Sequence, residues 1–370
     1  MELKELLMFM TKKGASDLHI KPMRPPLLRI QGRLIPVKSS PLKPTEVEQM
    51  LCSVLTPKQK ANFEKYLSVD LGYGIPGVAR FRCNLYWQRG TIAGVFRRVP
   101  FEIQNIGELN LPDVIETFTD FPGGMVLVTG PTGSGKSTTL ASMVNYRNEN
   151  ATGHILTIED PVEFLHTHKK SVVDQREVGL DTISYEVALK NAMREAPDVI
   201  LIGEIRDRYT MQHAIAYAET GHLCLSTLHA NNANQALDRI VNFFPDSAHH
   251  QLYMDLSLNL KAVISQRLIK SKDGKRVPAV EIMLLSTFVA ELIQKGDIHA
   301  VKEAMEQGNE RGMQTFDQAL YRLYKEGRIT QEEALANADS RNNLSLRMRL
   351  DESGSLGAPQ EMQIHDEEFF

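Results

Sequence analysis

Apolar and polar positions divide this 370-residue chain into two stretches of different rhythm. In the first hundred residues, short helices and strands alternate. Met1–Lys13 carries apolar residues on one helical face and stops at Gly14. Leu27–Ile30 and Leu34–Val37 flank Gln31-Gly32-Arg33, which predicts a hairpin. Thr45-Glu46-Val47-Glu48 has the form of a capping box, and Thr56-Pro57 that of an N-cap with proline at the first helical position. Val78–Trp87 and Thr91–Val99 predict two longer strands. Pro100, Gly107 and Pro112 interrupt residues 100–112, which read as a linker.

From Asp113 strands alternate with helices. Met125–Thr129, Ile155–Ile158, Val199–Ile202 and Leu223–Thr227 are apolar runs without a polar face, as parallel strands buried on both sides require. Thr138–Tyr146, Ser184–Ala196 (stopped by Pro197) and Arg208–Thr220 (ended by Gly221) are the predicted helices between them. A turn at Lys272-Asp273-Gly274-Lys275, a strand at Val277–Leu284 and several helices follow, one opened by Thr330-Gln331-Glu332-Glu333. The expected fold class is α/β: a small N-terminal α/β domain over 1–99, then over 113–350 a parallel sheet with helices on both faces and a helical end.

Length agrees with two domains plus an extension. No stretch approaches the ~20 apolar residues of a membrane span, and Met1–Lys12 lacks the order of a signal peptide. Cys52, Cys83 and Cys224 are far apart, form no C-x-x-C site and suit a reducing cytoplasm. The net charge of −4 provides no footprint for nucleic acid. Residues 351–370 hold six acids (Asp351, Glu352, Glu361, Asp366, Glu367, Glu368) and no Lys or Arg, so they read as a disordered tail.

The chemistry concentrates in Gly130-Pro131-Thr132-Gly133-Ser134-Gly135-Lys136-Ser137-Thr138, which fits G-x-x-x-x-G-K-[ST] at every fixed position. Its glycines let backbone N–H groups turn inward around a polyphosphate, Lys136 adds a point charge, and the Ser137 hydroxyl can reach magnesium. ATP and Mg2+ are therefore the expected cofactors. Val199-Ile200-Leu201-Ile202-Gly203-Glu204 ends in an acid at a strand's carboxyl edge, with glycine where the usual Asp would stand. Glu204 holds magnesium through water or shares in water activation. Ile158-Glu159-Asp160-Pro161-Val162-Glu163 is a second acidic cluster after a strand. Its carboxylates repel unless a proton or cation offsets them, and Glu163 is the candidate general base. His222 and His229 bracket the strand Leu223–Thr227 and are candidate γ-phosphate sensors.

Arg82 and Arg97 are symmetric about Arg89-Gly90, so they should face each other across a hairpin, with Arg80 beside Arg82. Opposed like charges destabilise a hairpin unless an anion meets them. Arg82 and Arg97 are thus candidate arginine fingers and Arg80 a nucleotide contact; the alternative is a solvated basic face.

Together these blocks resemble the secretion superfamily ATPases, and within them the type IV pilus retraction ATPases of the PilT/PilU group. The likeness covers about residues 1–350. Leu156–Phe164 looks like the family's Asp box with Glu163 as catalytic acid. Asp198–Asp207 looks like its atypical Walker B with Glu204, and Thr220–Asn231 like its His box with His222 and His229. Ala15-Ser16-Asp17-Leu18-His19-Ile20 matches its opening motif, and Arg80-Phe81-Arg82-Cys83-Asn84 its arginine-bearing strand. With the opening motif at residue 15, the layout is the short retraction type. Gly312–Leu320 and the acidic tail look more like the PilU branch, and the PilT-type AIRNLI motif is absent, with Phe288–Ile293 near its place.

The resemblance implies a PAS-like N-terminal domain, a RecA-like P-loop ATPase domain with a C-terminal helical part, and a homo-hexameric ring. It implies ATP-driven pilus retraction and twitching motility, assistance to a PilT-type ATPase, and action on an inner-membrane pilus platform protein. The expected location is cytoplasmic, attached to the inner membrane through the pilus machine without insertion. Two other readings stay open: a nucleotide-dependent interaction subunit that hydrolyses little, and an ATPase of a related secretion or conjugation system.

Overall fold

Two sheets with separate cores form the protein, seen here in a computed structural model that describes residues 2–99, 102–308 and 312–352. The first sheet contains β1 (Asp17–Ile20), β2 (Leu27–Ile30), β3 (Arg33–Pro36), β4 (Ser68–Ile75), β5 (Ala79–Gln88) and β6 (Thr91–Val99), in the order β3-β2-β1-β6-β5-β4, antiparallel throughout. Its two tight hairpins turn on Gln31-Gly32 and Arg89-Gly90, all four residues at positive φ. That conformation matches the twist of the flanking strands. The first turn holds two residues rather than the three expected, because Ile30 pairs with Arg33.

One face of β5 is buried through Phe81, Cys83 and Leu85. The helices Leu3–Lys12 and Pro44–Cys52 lie over it, contributing Leu6, Leu7, Met10, Val47 and Leu51. Gly94 lets the second helix approach: a Cβ there would stand 3.0 Å from the Leu51 side chain. That helix starts earlier than the Thr45 box predicts. Pro44 opens it, and the Glu46 carboxylate accepts from the Lys43 amide at 2.6 Å. Phe81→Ala should leave a cavity in this core and lower stability by about 3–5 kcal/mol. Trp87, the single tryptophan, stacks on Phe63 in the same domain, so its fluorescence in a urea titration reads this loss directly.

The second sheet contains β7 (Gly124–Thr129), β8 (Gly153–Glu159), β9 (Ser171–Glu177), β10 (Val199–Ile202), β11 (Leu223–Leu228), β12 (Leu260–Lys270) and β13 (Arg276–Leu284). Its order is β13-β12-β7-β11-β10-β8-β9, parallel except for the β12–β13 hairpin. β7, β10 and β11 are buried at every position, as their unbroken apolar runs require. Helices cover both faces, in two apolar clusters. A third cluster around Phe316, Leu320, Leu344 and Met348 packs the last helices on the β12–β13 hairpin. Of the tail expected over 351–370, residues 353–370 lie outside the described residues. Asp351 belongs to the helix Arg341–Glu352 and accepts from Tyr321 Oη at 2.6 Å and pairs with Lys325 Nζ at 3.0 Å.

Candidate nucleotide site

The carboxyl ends of four neighbouring parallel strands, β7, β11, β10 and β8, meet along one edge of the second sheet. Ligands bind at this edge in open α/β sheets. β7 delivers the loop Gly130–Gly135, and the helix Lys136–Asn150 follows it, with its amide N-terminus directed at the loop. Gly130, Gly133 and Gly135 have φ of 149°, 80° and 94°. A Cβ on Gly130 would stand 2.5 Å from Gln266 O, and one on Gly135 2.8 Å from Gln266 Nε2. Both glycines are therefore demanded by conformation and by close packing against β12. Lys136 Nζ donates to Gly130 O at 2.8 Å and Pro131 O at 3.1 Å, inside the curve of the loop. Burial lowers its pKa, and the carboxylates of Glu204 and Glu163 act in the opposite direction.

A cleft of about 500 Å³ opens beside the loop, and Lys136, Ser137, Thr138, Glu163, Glu204 and His229 all line it. These sequence candidates thus come from four separate segments to one place. Glu204 follows the end of β10 after Gly203. Its Oε2 accepts from Arg206 Nε at 2.7 Å, and its Oε1 lies 3.3 Å from His229 Nε2. Burial and the nearby Lys136 charge hold the His229 pKa below its ordinary value, which favours the neutral ring at pH 7. Gly203, standing where an Asp would be usual, has a spatial reason: a Cβ there would meet Tyr185 Oη at 3.0 Å and the Glu159 backbone at 3.3 Å.

The acidic cluster resolves into two roles that the sequence left undivided. Glu163 is exposed at the cleft. Glu159, in the cleft wall, accepts from Thr157 Oγ1 at 2.8 Å and from the Glu163 amide at 3.4 Å. Burial pushes its carboxyl up to about 7, so at neutral pH it shares the repulsion by carrying a proton part of the time. A folded-state pKa raised above the unfolded 4.5 means that the folded chain holds the extra proton in that interval. Stability therefore falls as pH rises from about 4.5 through about 7. Glu159→Gln should remove a loss on the order of 2 kcal/mol, giving a flatter profile of denaturation midpoint against pH than the wild type.

Other candidates sit elsewhere. His222 occupies the amino edge of the sheet, at the start of β11, while His229 follows its end. Its Nδ1 is engaged by Thr220 Oγ1 at 3.0 Å, and it lines a separate crevice with Asp120, Arg147 and Asp198. The expected pair of histidines is therefore split by the length of a strand, because residues on either side of a strand emerge at opposite edges.

Arg82 and Arg97 do stand opposite each other, in the register the hairpin turn predicts. Within the chain neither lines the nucleotide cleft. Asp17, 3% exposed, takes up the charge conflict: Arg97 Nε donates to its Oδ1 at 2.8 Å, and Arg29 Nε lies 3.3 Å from Oδ2. Burial acts to raise the Asp17 pKa, and the bonds from Arg97 and Ser16 outweigh it, leaving the carboxyl below its ordinary value. Arg80 is engaged by Glu177 at 3.0 Å in the same chain rather than by the cleft.

Sequence reasoning missed Glu159, Tyr185, Arg206, His166 and Gln266 as site residues. Glu159 and Arg206 lay inside the segments already singled out; Gln266 had no local signal, because β12 reaches the phosphate loop only through sheet pairing.

Comparison with known proteins agrees with this fold. The sequence profile of the family described as type II/IV secretion system protein matches residues 97–353. The chain is 50% identical over 351 residues to the type IV pilus ATPase PilU of Pseudomonas aeruginosa, covering 95% of this chain and 92% of that protein. It is 43% identical over 338 residues to the PilT retraction ATPase of the same organism, covering 91% and 98%. The crystal structure of the pilus retraction motor PilT with bound ADP superposes with a TM-score of 0.88 at 41% identity, over 94% of this chain and 99% of that one.

Proposed function

The chain belongs to the type II/IV secretion system protein family, and from that premise we propose that it is a P-loop ATPase that powers type IV pilus retraction. One observation carries the reading: Lys136, Glu204, His229 and Glu163 line a single cleft beside the phosphate loop. The residues fit a nucleotide, since the three loop glycines have the backbone freedom a polyphosphate cradle needs and Lys136 already points its ammonium at carbonyls inside the loop. For magnesium, Ser137 would supply a hydroxyl. Both Glu204 oxygens have protein neighbours, so Glu204 fits a ligand acting through water. Magnesium would offset charge on the phosphates. Glu163 would accept the proton of the attacking water, and His229 would turn its single N–H from Glu204 toward the terminal phosphate.

The wider proposal is a homo-hexameric ring in which Arg82 and Arg97 serve the nucleotide of a neighbouring subunit, since they do not line the cleft of their own. A role beside a PilT-type motor is supported by the greater identity to PilU than to PilT. Among the described residues no helix is long and apolar enough to cross a membrane; we further propose that contact with the inner membrane runs through a platform protein. The test is ATP turnover by the purified chain, alone and mixed with a PilT-type ATPase. Turnover by the chain alone supports the enzyme reading. Nucleotide binding without turnover under either condition favours an interaction subunit and sinks it.

A further inference from the structure

Glu177 ends β9, away from the phosphate loop, yet its side chain is 7% exposed and shared between the two halves of the molecule. We propose that Glu177 is a positioning residue that ties the N-terminal sheet to the loop carrying Glu163, through the sequence Arg80–Glu177–Val162. The proposal rests on the ATPase reading given above, because it assigns Glu177 to that reaction.

Glu177 Oε2 accepts from Arg80 Nη2 at 3.0 Å and from the Val162 amide at 3.2 Å. Arg80 stands on β5 and Val162 adjoins Glu163, so one oxygen joins the first domain to the acidic loop. The seat is built on both sides. On β4, Gly72 leaves the space in which the Arg80 guanidinium lies: a Cβ there would stand 2.7 Å from Arg80 Nη2. Behind the carboxylate, Asp181 Oδ2 accepts the Glu177 amide at 2.8 Å, and the Asp181 amide returns to Glu177 O at 2.8 Å.

Charge explains why the link is tight. Glu177 pairs in register with Glu159 on β8, and Asp160 lines the same small crevice as Arg80 and Glu177. A buried carboxylate among these acids is tolerable only with its cation in place. Without Arg80, Glu177 is an uncompensated buried charge, and the cheapest relief is for it to turn toward water and release Val162. Glu163 then loses the restraint beside it, and small misplacements of a reacting group cost large factors in rate.

The experiment uses the full chain with Arg80→Ala, Glu177→Ala, the double variant and Arg80→Lys. Each of the first two should lower kcat by about tenfold or more, with the KM for ATP moving less than about threefold. The double variant should be no worse than the worse single, since both cut one link. Arg80→Lys should recover part of the rate. Hydrogen exchange of the peptide spanning 160–166 should quicken in both singles while β7 stays protected. Additive losses overturn the proposal, as does a rise in KM in Arg80→Ala alone, which would make Arg80 a nucleotide contact. Unchanged exchange over 160–166 also overturns it. Exchange requires no turnover, so it decides the link even if wild-type inactivity has sunk the ATPase reading. If Glu177→Ala fails to fold, Arg80→Ala carries the exchange measurement.

Discussion

Lys136→Ala should reduce ATP turnover at least a hundredfold and weaken nucleotide binding. Lys136 is the cation whose ammonium points into the loop, 2.8 Å from Gly130 O, and it is 9% exposed. A positive charge fixed in a water-poor cradle stabilises the charge that moves onto the bridging and terminal phosphates in the transition state. Alanine removes that charge without disturbing the glycines that shape the loop. Burial costs the ammonium its hydration, so the variant should fold at least as well as the wild type. Turnover, nucleotide affinity and melting temperature therefore separate the outcomes. Turnover within twofold of wild type would show that the cleft is not the site of hydrolysis.

The second large effect is expected at the arginine pair, and it depends on assembly. Arg82 and Arg97 face each other on β5 and β6 and do not line their own chain's cleft. Arg97 is anchored at Nε by Asp17 while its side chain remains 67% exposed, so its outer nitrogens are presented outward. That exposure suits the proposed role of a finger offered to a neighbour. Fingers of this kind are worth factors of about 10³–10⁵ in rate. Arg82→Ala or Arg97→Ala should thus cut turnover by at least about a hundredfold while ATP affinity changes little. Glu163→Gln should bind ATP without hydrolysing it, because an amide cannot take the proton. Mixing an arginine variant with Glu163→Gln should restore part of the activity, since some shared sites then receive an intact acid from one chain and intact arginines from another. Mixed rings with no recovery would confine the arginines to their own chain or to a solvated face.

Local chemistry in the sequence was enough to determine the phosphate loop, the strand leading into each of the Glu204 and His229 segments, and the opposed arginines. Each of these depends on neighbours close in the chain: a glycine pattern, an unbroken apolar run, a two-residue turn that sets its own register. β4 escaped because Asp70, Gly72 and Gly74 weaken its strand pattern, and only pairing with β5 organises it. β12 escaped in a similar way, becoming a strand through its neighbours β7 and β13. Tertiary structure alone decided which candidates meet. It brought Glu163, Glu204 and His229 to one sheet edge and left His222 at the other. It gave Asp17 to Arg97, Glu177 to Arg80 and a proton-sharing role to Glu159. The physical reason is that a charge's partner and its burial are set by whatever packs against it, and here those groups lie 80 or 97 residues away along the chain.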